Sequence, residues 1–303
     1  MPDIKRILCP VDFSDTSAHA VEQAVAVAGW YKARITGLHV YNPIFMPVPG
    51  LPPPAERVPQ AELQRVHDQT VACFQAATKA GIGVDVVIDI GQPPAEILER
   101  AAGLPADIIV MGTHGAGGFE RLVLGSVTEK VLRRATCAVL TVPPRARATS
   151  KLPFKRLLCA VDFSTPSLVA LELAFSLAQE SHAALNVLHV LEWPWQEPPP
   201  PAFEELPPAQ AAALAEYRRY LEKSASTRLA ALLPDAVRDR LAPAPRISHG
   251  KSYVEILRAA DEEGADLIVM GVHGRNVPDL MLFGSTTNQV VRRATRPVLT
   301  LRH

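Results

Sequence analysis

Hydrophobic and polar positions in the first half of the chain follow two alternating periods. Short apolar runs, of which Ile7 to Val11 is the first, are typical of buried parallel strands. Between them lie longer helix-like segments, the first with N-cap oxygens at Ser14 and Ser17. The pattern predicts strands at 7–11, 35–41, 84–90, 107–111 and 138–142, and helices at 14–31, 60–80, 93–103 and 126–134. This alternation predicts an α/β fold, a doubly wound parallel sheet with helices on both faces.

The second half of the chain repeats the first. The blocks that recur are 5–14 as 155–164, 38–40 as 188–190, 109–112 as 268–271, 125–126 as 284–285, and 133–136 as 292–295. So many blocks in the same order indicate a duplication. The predicted domains are 1–143 and 154–303, joined by a linker at 144–153 that is short enough to keep the copies adjacent. We expect the copies to pair through 138–142 and 297–301, because unpaired edge strands invite pairing.

Composition excludes several classes of function. The 31 basic and 31 acidic side chains balance, which argues against nucleic acid or an anionic membrane as the main partner. The four cysteines form no C-x-x-C pair, so we expect reduced thiols and no metal site. No run is long and apolar enough for a membrane helix, and a strand pattern begins at the N-terminus without a signal peptide. The expected location is the cytoplasm.

A glycine-spaced loop follows the fourth predicted strand of each copy. The first reads Gly112-Thr113-His114-Gly115, nine residues, then Gly125-Ser126, and the second reads Gly271-Val272-His273-Gly274, nine residues, then Gly284-Ser285. Glycines let a phosphate approach the backbone, and the helix that begins after the loop favours an anion at its N-terminus. Glycines at a turn often serve only to form the turn. Two sets with one spacing, both at the point where strand order reverses, favour a ligand site.

Two further positions in each copy end strands at the same edge. Asp12 and Asp162 follow the first strand, and each carboxylate has two interpretations. It accepts hydrogen bonds from a ribose or an adenine amine, or it binds the local N–H groups of the next helix. Val40 and Val190 end the second strand, where their backbone N–H and C=O groups are suited to an adenine edge.

The histidines of the two copies have different interpretations. His114 and His273 lie inside the glycine loops, where either a phosphate contact or local packing explains them. His39 and His189 are expected to be structural. Neither pair has the acidic partners of a metal site.

These motifs together resemble the universal stress protein family. The resemblance rests on V-D-F-S after strand one, H-V at the end of strand two and the G-x2-G-x9-G-S spacing, and it covers both copies. It implies a five-stranded parallel sheet of order 3-2-1-4-5 in each copy, and ATP or AMP as ligand, with ADP as an alternative and Mg²⁺ accompanying ATP. It also implies pairing of domains through the fifth strand; a further homodimer stays open.

Carried over by position, the resemblance implies a set of nucleotide contacts in each copy. In the first copy these are Pro10, Val11, Asp12, Val40, Gly112, His114, Gly115, Ala116, Gly125, Ser126 and Val127. In the second copy these are Ala160, Val161, Asp162, Val190, Gly271, His273, Gly274, Arg275, Gly284, Ser285 and Thr286. The second loop departs from the first at 275–279, where Pro278 removes an N–H and Arg275 offers a phosphate contact instead. We therefore expect the first site to bind at least as tightly as the second.

Three classes of function fit this sequence to different degrees. The favoured one is an ATP-binding stress or regulatory protein. An interaction or adaptor module that keeps the fold without nucleotide is the alternative, and an adenylating enzyme is a weaker one, because the segment 12–17 lacks the glycines of its S-G-G-x-D-S loop. The chain has no G-x-x-x-x-G-K-[ST] motif, and neither glycine motif contains a lysine. We expect no catalytic residues, and at most slow ATP hydrolysis.

Overall fold

The computed structural model describes residues 4–43, 58–115, 124–144, 154–192, 207–233, 244–273 and 284–302. Its strands are β1 (Arg6–Pro10), β2 (Arg34–Tyr41), β3 (Val84–Ile90), β4 (Ile108–Gly112), β5 (Ala138–Val142), β6 (Arg156–Ala160), β7 (Ala184–Leu191), β8 (Ala244–His249), β9 (Leu267–Gly271) and β10 (Val298–Leu301). Its helices are α1 (Asp15–Tyr31), α2 (Gln60–Cys73), α3 (Gln75–Lys79), α4 (Pro93–Gly103), α5 (Ser126–Arg134), α6 (Thr165–Ser181), α7 (Pro208–Ala231), α8 (Ser252–Glu262) and α9 (Ser285–Arg293).

The strands of the described residues form one sheet of order β3-β2-β1-β4-β5-β10-β9-β6-β7-β8. Within each copy the neighbouring strands are parallel. The predicted order 3-2-1-4-5 is therefore confirmed in both copies. Strand order reverses beside β1 in the first copy and beside β6 in the second, and this opens a crevice at the carboxyl edge of each half.

The two copies meet where β5 pairs with β10 in antiparallel orientation. Leu140 lies opposite Leu299 in this register. The buried hydroxyl of Thr141 donates to the carbonyl of Val298 at 3.1 Å, and the buried hydroxyl of Thr300 donates to that of Val139 at 3.3 Å. The predicted pairing through the fifth strands is confirmed.

An apolar layer covers each face of the sheet, and each layer contains residues of both copies. Along β1, Ile7 and Cys9 belong to the layer beneath α1, whereas Leu8 belongs to the layer on the opposite face. This alternation follows from the two-residue period of a strand. Because both faces are buried, the strands read as continuous apolar runs.

The helix predicted over 60–80 is wrong in one respect, since it breaks at Phe74 into α2 and α3. Phe74 leaves the helical conformation, with φ −102° and ψ 11°. Its buried ring fills the space that a Cβ on Gly37 of β2 would occupy. The helix thus breaks at the residue whose ring packs onto the sheet. The corresponding α7 is one continuous helix.

Candidate functional site

A cavity of about 530 Å³ opens at the carboxyl edge of the first copy's strands. All of the predicted first-copy residues that the structure describes line it. These are Pro10, Val11, Asp12, Val40, Gly112, His114, Gly115, Gly125, Ser126 and Val127. Ala116 lies outside the described residues. The structure thus brings together segments that are far apart in the chain.

The turn after β1 places the Asp12 carboxylate in this cavity. Its Oδ1 accepts hydrogen bonds from the backbone N–H of Ser14 at 3.1 Å and from the Ser14 hydroxyl at 2.6 Å. Ser14 in turn is the N-cap of α1, where its Oγ accepts from the N–H of Ser17 at 3.1 Å. The carboxylate therefore binds local donors, as one of its two sequence interpretations predicts, and it also lines the cavity.

The residue between them, Phe13, has a left-handed backbone with φ 64°. This conformation costs a residue other than glycine about 1–2 kcal/mol. The Phe13 ring stacks on the His39 ring at a centroid distance of 4.5 Å, which offsets part of that cost. Strain of this kind is typical of functional turns that the surrounding packing holds in place.

The loop after β4 is held close to the start of α5. The N–H of Gly125 donates to the carbonyl of Thr113 at 2.9 Å, and the Thr128 hydroxyl donates to the carbonyl of Gly112 at 2.8 Å. Gly125 is the N-cap residue of α5 and, having no side chain, makes no capping bond. The first-turn N–H groups of α5 consequently lack a side-chain cap and face the cavity, which is the geometry that binds anions.

Val40 turns its backbone groups towards the crevice. The carbonyl of Leu38 accepts from the N–H of Val11 at 2.8 Å, so Leu38 bonds on the β1 side of β2. In a parallel strand every second residue bonds on the same side. Val40 is two residues further on, and β1 has already ended at Pro10.

Two neutral histidines border the cavity. His39 Nδ1 lies 2.9 Å from the Val11 carbonyl and therefore donates to it, and burial lowers the pKa of His39. His114 Nδ1 lies 2.8 Å from the Thr113 hydroxyl oxygen. Burial, and then the positive charge of Arg292, lower the pKa of His114. Its Nε2 is buried without a hydrogen-bond partner among the described residues.

The second copy has a corresponding cavity of about 470 Å³. The described residues that the sequence predicts there all line it, namely Ala160, Val161, Asp162, Val190, Gly271, His273, Gly284, Ser285 and Thr286. Asp162 Oδ1 accepts from the N–H of Ser164 at 3.0 Å, and the Thr287 hydroxyl donates to the Gly271 carbonyl at 2.9 Å. Gly274 and Arg275, with the rest of the departing loop at 275–279, lie outside the described residues.

The sequence model of the universal stress protein family matches this chain twice, at residues 3–143 and at residues 153–302. The chain belongs to the universal stress protein family. It carries the family's domain twice, as the repeat predicts.

Relatives of this universal stress protein include both tandem and shorter members. It is 31% identical over 301 residues to a universal stress protein of Mycolicibacterium smegmatis, with 98% of this chain and 96% of the relative covered. It is 35% identical over 140 residues to one of Methanocaldococcus jannaschii, covering 46% of this chain and 81% of the relative. The crystal structure of a universal stress protein from Archaeoglobus fulgidus shares the fold, with a TM-score of 0.67 at 22% identity over 100% of this chain and 97% of that one.

Sequence reasoning did not identify one side of each cavity. This side is formed by the helix that follows the third strand of each copy. Pro93 and Ile97 of α4 line the first cavity, and Ser252 and Ile256 of α8 line the second. Glu192, just beyond β7, also lines the second cavity. The repeat offset of 159 pairs Pro93 with Ser252 and Ile97 with Ile256, and that pairing with the predicted helix at 93–103 is the signal in the sequence that marks these positions as equivalent.

Two further observations concern chemistry away from the cavities. All four cysteines are free thiols, and burial raises the pKa of Cys137 to about 11, which keeps it protonated.

Among the described residues, no helix combines the length and apolar character needed to cross a membrane.

Proposed function

We propose that each copy binds an adenine nucleotide and that the chain acts as a cytoplasmic, nucleotide-dependent stress or regulatory protein with little or slow hydrolysis. The observation that carries the proposal is the convergence, in both copies, of a glycine loop, an uncapped helix N-terminus and a strand-end carboxylate on one cavity. Ligands of doubly wound sheets bind at this edge. Membership in the universal stress protein family supports the same reading.

The order of strands sets the direction of the bound nucleotide. The anion-binding loop follows β4, Asp12 follows β1, and Val40 ends β2, so the three features lie in the order of neighbouring strands. Two strand spacings amount to about 10 Å. A nucleotide that follows this order has its phosphates at the start of α5 and its ribose hydroxyls at the Asp12 carboxylate. Its base then lies beside Val40.

The base end of the cavity is apolar. Pro93, Ile97 and Leu38 line it beside Val40. Apolar walls suit the faces of a purine, and the exposed backbone groups of Val40 suit its hydrogen-bonding edge. At the phosphate end, His114 Nε2 adds a polar atom buried without a hydrogen-bond partner among the described residues.

The groups around the phosphates do not favour fast transfer. The described residues that line the first cavity include no lysine or arginine, and Asp12 is their one carboxylate. Phosphoryl transfer depends on positioned cations and on a group that orients the attacking water. Mg²⁺ accompanying ATP would neutralise phosphate charge, with Asp12 as the nearby carboxylate. In this proposal, the binding of nucleotide, and not its hydrolysis, carries the regulatory signal.

Two charge substitutions test the proposal without removing packed atoms. Ser126 and Ser285 are exposed first residues of α5 and α9. A glutamate is favourable for the helix at that position, but it repels a phosphate. In calorimetric titrations with ATP or AMP, we expect two sites in the native chain, one in Ser126→Glu or Ser285→Glu, and none in the double variant.

The matched control is Ser226→Glu, which places the same charge on an exposed position of α7. It should retain two sites. Mass spectrometry of nucleotide released from the heat-denatured native protein identifies the resident ligand. Absence of adenine nucleotide in both measurements would overturn the proposal and favour the interaction or adaptor module.

A further inference from the structure

The two cavities differ at the rim beside the second strand of each copy. In the second copy, Glu192 lines the cavity, and its Oε1 accepts a hydrogen bond from the N–H of Ser252 at 2.8 Å. The equivalent residues of the first copy are Asn42 and Pro93. Proline has no N–H, so the first copy cannot form this bond.

The bond fixes the carboxylate of Glu192 at the start of α8. Ser252 is the first residue of that helix, and a carboxylate is favourable at a helix N-terminus. The Ser252 N–H occupies one acceptor site of Oε1, and a carboxylate has about four such sites on its two oxygens, so both oxygens can still accept from a ligand. Glu192 is exposed at the rim, so a ligand that fills the cavity would exclude water from the carboxylate and strengthen its hydrogen bonds.

Its place in the sheet puts Glu192 at the base end of a nucleotide bound as proposed above. The anion-binding loop follows β9, Asp162 follows β6, and Glu192 follows β7. These strands are consecutive neighbours in the sheet. Glu192 is therefore separated from the phosphates by about two strand spacings, or about 10 Å.

A fixed carboxylate at this point distinguishes the two purines. Guanine presents two adjacent donors, N1–H and the N2 amine, which match the two acceptor oxygens of a carboxylate. Adenine presents its N6 amine beside the lone pair of N1, which a carboxylate repels. Charge-assisted and bidentate hydrogen bonds are the strong ones, and an unmatched polar pair is penalised.

We propose that Glu192 makes the second site prefer guanine nucleotides, whereas the first site, with Asn42 and Pro93, prefers adenine nucleotides. This inference rests on the proposed function, since it assumes the same placement of base and phosphate. The second site still accepts adenine nucleotide, more weakly than guanine nucleotide. The chain thereby binds two kinds of nucleotide, one in each half of the continuous sheet.

The experiment compares AMP and GMP affinities of the second site alone. The full chain carrying Ser126→Glu leaves only that site open, and Glu192→Gln is added to it. Glutamine keeps an oxygen for the Ser252 N–H but replaces the other oxygen with a donor, which suits adenine N1. We expect Glu192→Gln to lower the ratio of GMP to AMP affinity by about tenfold or more.

The repeat offers a reciprocal variant that does not depend on altering Glu192. In the full chain carrying Ser285→Glu, Asn42→Glu with Pro93→Ser recreates the acceptor and its N–H anchor in the first site. This variant should gain affinity for GMP relative to AMP. An unchanged ratio in both experiments, with AMP still bound, overturns this inference alone. Absence of both nucleotides from both single-site chains overturns the proposed function as well.

Discussion

The Asp12 carboxylate oxygen Oδ2 lies 2.7 Å from the point where a Cβ on Gly115 would stand. The other oxygen of that carboxylate holds the turn into α1 through Ser14. Gly115 has no side chain, so the loop after β4 can close onto the turn after β1. Any side chain at position 115 would therefore have to displace the Asp12 carboxylate.

Gly115→Val should empty the first site. A Cβ at that position displaces Asp12, and the branched side chain fills the space beside the anion-binding loop. Calorimetric titration with ATP should show one site in place of two, because the second cavity is untouched. Gly103→Ala is the matched control, since nothing lies within 4 Å of its Cβ position. Two sites in the Gly115 variant would contradict the assignment.

Adenine nucleotide should bind the first site at least as tightly as the second. In the described residues, Glu192 adds a negative charge to the second cavity, and the first cavity has no counterpart of it. The AMP affinities of the Ser285→Glu and Ser126→Glu chains measure the two sites separately. Tighter binding by the second site would contradict this prediction.

ATP hydrolysis should be slow, well below the roughly 10 s⁻¹ typical of enzymes. The cavity lining that the structure describes lacks the cationic side chains that stabilise phosphoryl transfer. Steady-state phosphate release, measured with and without Mg²⁺, checks this. Turnover at an ordinary enzymatic rate that is lost in Gly115→Val would show a catalytic site.

Acidification should reduce stability through His39. Burial lowers the pKa of His39 from its ordinary 6.5, although its bond to the Val11 carbonyl and the charge of Asp12 act in the opposite direction. The unfolded chain therefore takes up the proton first as pH falls. The stabilising contribution is full above about pH 6.5 and is lost as pH falls towards the lower folded-state pKa.

The measurement is the free energy of unfolding by urea at about pH 7.5 and about pH 5.5. His39→Asn keeps an amide donor for the Val11 carbonyl but does not titrate. Its stability should fall less over this range than that of the native chain. Equal pH dependence in the two proteins would mean that His39 is not the responsible group.

Leu140→Ala should destabilise the chain by about 2–5 kcal/mol. Leu140 is 2% exposed and lies opposite Leu299 at the junction of the two copies. Val71→Ala, at a residue that is 43% exposed on α2, should change stability by less than about 0.5 kcal/mol. Urea unfolding compares the two. Similar small effects would show that the β5–β10 junction contributes little to stability.

The residues that the family resemblance implied line the two cavities wherever the structure describes them, whereas the contributions of α4, α8 and Glu192 came only with the structure. The sequence alone determined most of the strands and helices of the first copy, and the duplication. These features depend on local causes: the two-residue and 3.6-residue periods, N-caps such as Ser14, and glycines at turns. The pairing of β5 with β10 was also predictable, because two apolar edge strands in adjacent copies need partners.

Only the tertiary structure decided features that join distant segments. The ring of Phe74 fills the gap above Gly37 at the point where the helix breaks, and no local pattern reveals that gap. The bond from Ser252 to Glu192 joins residues 60 positions apart. The approach of Gly115 to Asp12 depends in the same way on β4 lying beside β1. Local periodicity specifies which face of an element is buried, whereas packing of the whole sheet decides which side chains touch.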